Sequence, residues 1–122
     1  MTKRERVIAA IQQKDLDGIP SGFSLHFPEE KKHGEACVKA HLDFFHDTDT
    51  DICKIMNENL IPVFGTIHTP DDYNRLIPRM TMEDGFMKDQ MALTKEILAR
   101  CDKDVFTMGT LHGICASGIH PI

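Results

Sequence analysis

Four polar residues, His26, Asn57, Glu58 and His112, stand at or directly after the ends of predicted strands. Enzymes with parallel strands carry their chemistry at the carboxyl ends of those strands, so position alone makes these residues candidates for a site. The neutral amide of Asn57 can accept a hydrogen bond from a ligand. The alternatives are a histidine held by a backbone carbonyl for His26 and a turn-capping residue for Asn57.

A histidine and cysteine cluster lies near the end of the sequence. His112 and Cys115 are three residues apart, and His120 follows five residues after Cys115. An imidazole and a thiolate can share a zinc ion, but zinc sites use several ligands at a recognisable spacing. The glycines and the proline around these residues are typical of a loop that follows a strand. We therefore predict no metal in this chain.

The acidic run from Asp47 to Asp51 is similar to the start of a calcium-binding loop, with Glu58 at its twelfth position. The sixth position of such a loop requires glycine for a sharp turn. Here that position is Ile52, which opens an apolar strand. We interpret the run as an acidic connection between a helix and a strand.

The composition excludes several classes of function. The 122 residues are 41% hydrophobic and 27% charged, which is typical of a folded soluble protein. With 14 Lys and Arg against 19 Asp and Glu, the net charge of −5 argues against nucleic acid as a partner. No apolar run approaches the roughly 18 residues that a membrane span needs. Nucleotide-binding glycine loops, G-x-S-x-G and H-E-x-x-H are absent from the sequence.

The cysteines and the first residues bear on the cellular compartment. Cys37, Cys53, Cys101 and Cys115 are widely spaced, and none forms a C-x-x-C pair. This spacing is not a disulfide framework, so we expect free thiols. The first residues lack the long apolar region of a signal peptide. We therefore expect the protein in the reducing cytoplasm.

Hydrophobic periodicity and turn residues predict three helices that alternate with three strands. The predicted helices cover about residues 3–14, 35–46 and 86–101, and the predicted strands cover 22–27, 52–56 and 105–110. Thr2 and Glu5 form a capping-box pattern ahead of the first helix. Residues 58–81 predict a long connection with a helical turn at about 71–76, and long ordered connections are often functional.

Two pairs of residues on the predicted helices are interpreted as structural. His41 and His46, five residues apart on different faces of the second helix, are predicted to lie at the surface. Met87 and Met91 have the spacing of core residues on the third helix, which favours packing over a flexible target-binding face.

The alternation of strands and helices predicts an α/β fold. It favours parallel pairing through right-handed crossovers, in a doubly wound sheet or a (β/α) barrel. No internal repeat or low-complexity segment competes with this interpretation.

Three segments resemble, in order and spacing, the start of the uroporphyrinogen decarboxylase family. They are residues 2–7 (Thr-Lys-Arg-Glu-Arg-Val), 17–20 (Asp-Gly-Ile-Pro) and 51–57 (Asp-Ile-Cys-Lys-Ile-Met-Asn). Members of that family are (β/α)₈ TIM barrels, which take about 250 residues or more. The resemblance implies that residues 1–122 are a partial barrel domain with about three parallel strands, and that the remainder of the barrel is absent.

The resemblance implies two chemistries. The decarboxylases remove carboxyl groups from a tetrapyrrole without a cofactor, whereas related methyltransferases use a zinc-activated thiol and a methylated corrinoid. The decarboxylases carry an Arg-x-x-x-Arg-type clamp for carboxylates after the first strand, and an Asp at the end of the second. Residues 26–32 contain no arginine, and Asn57 stands at the position of that Asp. The zinc ligands of the methyltransferases fall in the later part of the barrel.

We therefore expect tetrapyrrole- or corrinoid-related enzymology in the full-length protein, with a small-molecule substrate of that kind. His26 and Asn57 are the catalytic candidates, and with Glu58 and His112 they are also the substrate-binding candidates. No cofactor is expected within this chain, and corrinoid and zinc belong to the methyltransferase alternative. A hypothesis of another class is a non-catalytic fragment that forms a homo-oligomer through open sheet edges.

Overall fold

The fold is described by a computed structural model, which covers residues 1–113, 115 and 117. The elements are α1 (Lys3–Ile11), a 3₁₀ turn (Glu29–Lys31), α2 (Gly34–Thr48), β1 (Ile52–Ile55), α3 (Pro70–Leu76), α4 (Gly85–Arg100) and β2 (Phe106–Gly109). The described chain is therefore a mixed structure of helices and sheet, as the alternating pattern predicts.

The two strands pair in parallel. The register places Ile52 opposite Phe106 at the first position and Ile55 opposite Gly109 at the last. Because both strands run in the same direction, the residues that follow Ile55 and Gly109 meet at one edge of the sheet. The chain between the strands contains α3 and α4, which is the long crossover that parallel pairing requires.

The predicted strand over residues 22–27 is wrong, because this segment is not a strand in the structure. The Ser21 carbonyl accepts hydrogen bonds from the backbone N–H groups of Asp51 and Ile52, at 3.0 and 3.1 Å. Past that point the contact with β1 is between side chains, as in the 2.6 Å bond from Lys54 Nζ to Ser24 Oγ. A Cβ on Gly22 would lie 2.8 Å from Ile52 Cβ, so glycine lets the coil pass close to β1.

The helix ends follow local capping chemistry. The Thr2 side chain and the Glu5 side chain form the predicted capping box at the start of α1. The helix ends at Ile11, earlier than predicted, because Gln13 adopts a left-handed conformation with φ 54°. Gln13 N–H then bonds Ala10 O at 3.1 Å and Lys14 N–H bonds Ala9 O at 2.9 Å, which closes the last turn.

The hydrophobic core lies where α2 and α4 pack on each other and on β1. Its buried residues are Cys37, Val38, Phe45, Cys53, Ile55, Leu93, Ile97 and Cys101. In β2, by contrast, Thr107, Met108 and Gly109 are exposed. The core therefore covers β1 and leaves much of β2 open.

An ion-pair cluster ties α1 to the start of the sheet. Arg6 on α1 donates from Nε to Asp17 Oδ1 at 2.6 Å and from Nη1 to Asp51 Oδ1. Ser21 N–H donates to Asp51 Oδ2 at 2.9 Å, and the Asp51 carbonyl accepts the Phe106 N–H at 3.1 Å. Burial alone raises the pKa of Asp51, but the bonds from Ser21 and Arg6 bring that pKa below its usual value.

We predict that Asp51→Ala lowers the free energy of unfolding by about 2 kcal/mol, because it leaves the Ser21 N–H and the Arg6 guanidinium without their acceptor. Urea denaturation measures this change. Asp47→Ala is the matched control, since the Asp47 side chain is exposed and contacts only the exposed His46 among the described side chains. Equal free energies of unfolding for the two variants would contradict the stabilising role of Asp51.

Candidate functional site

A cleft of about 700 Å³ opens beside the carboxyl ends of β1 and β2. Its walls come from the residues after β1, from the loop before α4 with that helix as far as Lys95, and from the residues after β2. Most of the lining surface is apolar, although about half of the lining residues are polar, mainly neutral amides and hydroxyls. Among the lining residues that the structure describes, Lys95 is the one lysine or arginine.

The main chain of Met56, directly after β1, is hydrogen-bonded through both its N–H and its C=O group. Its N–H donates to Nε2 of His41 on α2 at 3.0 Å, and its carbonyl accepts from Nε2 of Gln90 on α4 at 3.1 Å. These two bonds join both core helices to the point where the sheet ends. The direction of the chain into Asn57 is thereby fixed.

His41 is buried, so its predicted surface position is wrong. Nε2 accepts the Met56 N–H, which means that Nδ1 carries the proton and donates to the Cys37 carbonyl at 2.7 Å. The ring also contacts Phe27, with centroids 4.8 Å apart. Burial lowers the pKa of His41, while the Cys37 carbonyl and the Glu58 charge oppose that change. The neutral imidazole is the form that this hydrogen-bond pattern requires. His46 is exposed, as predicted.

A chain of hydrogen bonds continues from Gln90 along the cleft wall. Gln90 Oε1 accepts from Asn59 Nδ2 at 3.0 Å, and Asn59 Oδ1 accepts from His33 Nδ1 at 2.9 Å. Thr94, one turn after Gln90, donates to the Gln90 carbonyl at 2.8 Å. Asn59 and Gln90 are therefore oriented by protein partners before any ligand arrives.

Asn57 differs from these residues. Its Oδ1 atom is buried and has no hydrogen-bond partner among residues 1–113, 115 and 117. An unpaired buried acceptor costs about 1–3 kcal/mol. Because Asn57 lines the cleft, a ligand N–H or O–H group that reached Oδ1 would remove this cost.

The structure separates the four predicted site residues into two pairs. Asn57 and His112 line the cleft. His26 and Glu58 instead contact each other, with His26 Nδ1 3.0 Å from Glu58 Oε1. The Glu58 side chain is 3% exposed and the His26 side chain 68% exposed. A buried carboxylate thus holds an exposed imidazole near the carboxyl end of β1.

Sequence reasoning missed part of the cleft wall. Gln90 and Thr94 are polar residues one turn apart within an amphipathic helix, and that spacing was a usable signal. The core interpretation of Met91 is wrong, because its side chain is 42% exposed and lines the cleft with Met87. Leu93 and Ile97 supply the buried face of α4 instead.

The described residues contain no group of three or more His, Cys, Asp and Glu residues that could hold a metal ion. His120, the third member of the candidate zinc cluster, lies outside the described part of the chain. Within the same part, every helix is too short or too polar to cross a membrane.

Comparison of the sequence with models of known protein families finds no match, and comparisons with curated proteins and with solved structures find none.

We predict that the protein loses stability as the pH falls below about 6.5, the ordinary pKa of histidine. The unfolded chain takes up a proton at His41 more readily than the folded one, so acid favours unfolding. The free energy of unfolding should fall between about pH 6.5 and about pH 5, above the range in which carboxylates titrate. Urea denaturation at several pH values measures this slope.

His41→Gln should remove most of that slope, because the titrating group is gone. His46→Gln, on the same helix but exposed, should keep it. An unchanged slope in His41→Gln would show that another group causes the loss of stability.

Proposed function

We propose that this chain supplies a ligand-binding cleft of an enzyme that acts on a tetrapyrrole or a corrinoid, as the first part of a (β/α)₈ barrel of the uroporphyrinogen decarboxylase type. The observation that carries the proposal is the buried, unpaired Oδ1 of Asn57, a residue that lines a cleft whose surface is mostly apolar. Three features of the cleft support it: its size, its walls and its charge.

Size and walls suit a large, flat and mostly apolar ligand. A volume of about 700 Å³ lies within the range of small-molecule sites, about 300–1,000 Å³. Leu60, Ile61 and Phe86 provide apolar surface, and methionines provide flexible, polarizable side chains that adapt to a ring system. A macrocycle placed there would bury its faces against these walls.

Asn57 supplies the polar contact in this proposal. Its Oδ1 would accept a hydrogen bond from a pyrrole N–H of a tetrapyrrole or from a side-chain amide of a corrinoid. His41 and Gln90 form hydrogen bonds with the main chain of the preceding residue, Met56. These bonds limit the movement of Asn57, which lowers the entropic cost of binding a ligand.

The charge of the cleft favours the corrinoid alternative over decarboxylation. A tetrapyrrole polycarboxylate calls for several arginines, and the described lining residues include Lys95 but no arginine. The neutral Asn57 cannot stabilise a cationic intermediate as a carboxylate would. A bound methylcorrinoid would supply a transferable methyl group, and Asn57 would hold one of its amide side chains. The zinc ligands of that alternative belong to the later part of the barrel.

In the proposal His26 transfers protons to a part of the substrate that extends beyond the cleft, since His26 is not among the described lining residues. Glu58 fixes Nδ1, and the ring is largely exposed, so Nε2 is the nitrogen that a substrate would meet.

The site lies in the cytosol in this proposal, where Cys37, Cys53 and Cys101 remain buried free thiols. Burial raises the pKa of Cys37 to about 11, so this thiol stays protonated at neutral pH.

We predict that the chain binds cobalamin, a soluble corrinoid, and that Asn57→Leu weakens this binding about fivefold. The loss corresponds to one hydrogen bond of about 1 kcal/mol. Equilibrium dialysis with absorbance detection measures the two dissociation constants, and uroporphyrin in a parallel series tests the decarboxylase alternative.

Asn74→Leu is the matched control, since Asn74 is an exposed asparagine on α3 outside the cleft. The proposal would be contradicted if the chain bound neither cobalamin nor uroporphyrin, or if Asn57→Leu and Asn74→Leu weakened binding equally. Tighter binding of uroporphyrin than of cobalamin would favour the decarboxylase chemistry.

Self-association is a second candidate function, favoured by the open edge of β2. Within the described residues β2 pairs with β1 alone, and its Met108 side chain is 41% exposed. Leu111, two residues beyond the end of the strand, is 95% exposed. An unpaired strand edge with apolar neighbours is a template for pairing with a second chain.

We predict that the chain forms dimers or larger species at micromolar concentration, and that Met108→Lys shifts it toward monomer, because a charge on an edge strand opposes pairing. Size-exclusion chromatography with light scattering measures the mass. Leu98→Lys is the control, because Leu98 is similarly exposed on α4, away from β2. A monomeric parent chain would rule out this candidate.

A further inference from the structure

Two rows of hydrogen-bonded side chains meet at the main chain of Met56, and each row includes a histidine. On one side, Nε2 of His41 accepts the Met56 N–H at 3.0 Å. On the other side, Gln90 donates to the Met56 carbonyl at 3.1 Å. That amide is joined through Asn59 to Nδ1 of His33, at 3.0 and 2.9 Å. Because Met56 follows the last residue of β1, these side chains hold the main chain that leads into the cleft.

The two histidines respond differently to protonation. His33 donates from Nδ1 to the Asn59 oxygen, and it does so whether its ring is neutral or charged, so acid leaves that row intact. His41 already donates from Nδ1 to the Cys37 carbonyl at 2.7 Å, so an added proton goes to Nε2. Nε2–H and the Met56 N–H are then two donors that face each other, and their hydrogen bond is lost.

The groups around His41 favour the neutral ring. The side chain is buried, and its ring contacts that of Phe27. The Cys37 thiol lies 3.6 Å from Nδ1, and burial raises its pKa to about 11, so it carries no charge at neutral pH. Glu58 is the charged group that acts on the ring, and it also binds the exposed His26. Its charge favours protonation of His41, but burial is the larger effect and lowers the pKa.

We propose that protonation of His41 opens the cleft, so that the site binds its ligand at neutral pH and releases it in mild acid. Once the Met56 N–H has lost its acceptor, the main chain from Met56 to Asn57 is free to move, and Oδ1 of Asn57 loses its fixed position. The release of a ligand rests on the proposed function, whereas the movement of the Met56 main chain does not.

Linkage gives the sign and the size of the effect. In the open cleft His41 reaches solvent and recovers its ordinary pKa of about 6.5, whereas the closed cleft keeps the ring neutral. The closed form therefore binds fewer protons. The ratio of open to closed molecules rises as the pH falls below about 6.5, by at most about tenfold per pH unit.

Hydrogen exchange of the chain without a ligand tests the opening. The protection factor of the Met56 amide should fall at least about threefold between about pH 7 and about pH 5.5. The amide of Ile97, a fully buried residue of α4, should be better protected at every pH, because the core stays folded when the cleft opens. Equal protection of Met56 and Ile97, or a Met56 protection factor that does not change with pH, would overturn the proposal.

His41→Gln is the main variant, because a glutamine oxygen can accept the Met56 N–H but does not titrate. It should remove the pH dependence of the Met56 protection factor. His33→Gln is the matched control and should keep that dependence. NMR titration of the parent chain gives the same answer without a variant, since the His41 ring and the Met56 amide should change with one midpoint. Two different midpoints would contradict the coupling.

Equilibrium dialysis with cobalamin at about pH 7 and about pH 5.5 tests the release. The dissociation constant should rise about threefold in acid for the parent chain and stay constant for His41→Gln. Equal affinity of the parent chain at both pH values would overturn the release. Absence of cobalamin binding at both pH values, together with a pH-dependent Met56 protection factor, would contradict the proposed function and still support the opening of the cleft.

Discussion

The geometry of the cleft depends on two hydrogen bonds to the main chain of Met56. Its N–H and its carbonyl are bound by His41 and Gln90, one from each core helix, where β1 ends. Backbone groups at the end of a strand need partners once they are buried. Because side chains satisfy them here, the chain can turn away from the sheet without leaving an unpaired backbone group, and Asn57 faces the cleft in a fixed position.

The two ends of β1 use different physical chemistry. At its start, Asp51 and Arg6 form an ion pair with hydrogen bonds from Ser21, which holds α1 against the sheet. At its other end the groups that bind the Met56 main chain are an imidazole and an amide, and Glu58 contacts His26 rather than the cleft. The ion pair that holds α1 thus lies at the opposite end of β1 from the cleft, and parallel α/β proteins usually bind ligands at the carboxyl end of their strands.

The sequence predicts the local elements well, because each has a periodic signal. The helices α2 and α4, the short strand β1 and the capping residues Thr2 and Glu5 are found where their patterns place them, although Leu93 and Ile97 rather than Met91 form the buried face of α4. Residues 22–27 alternate like a strand, but a strand also needs backbone hydrogen bonds to a neighbouring strand. Next to β1, the backbone hydrogen bonds go to the Ser21 carbonyl, which lies before this segment.

Long-range contacts also explain what the sequence could not predict at the site. His41 has the spacing of a surface residue, and its burial depends on Phe27 and Met56, which are distant in the sequence. Position predicts Asn57 and His112 at the cleft, yet it cannot show that Glu58 turns toward His26. Alternation along a chain indicates which side chains share a face, but hydrogen-bond partners across elements are fixed only by packing.

The most direct test of the central claim is a ¹⁵N–¹H NMR titration of the chain with cobalamin. If the cleft at the end of β1 is the binding site, the Asn57 side-chain amide and the Met56 backbone amide should shift together with those of α4 residues that line the cleft. Signals from α1 and from Asp17 should stay in place. Shifts confined to α1 or to the edge of β2, or no shifts at all, would contradict this account.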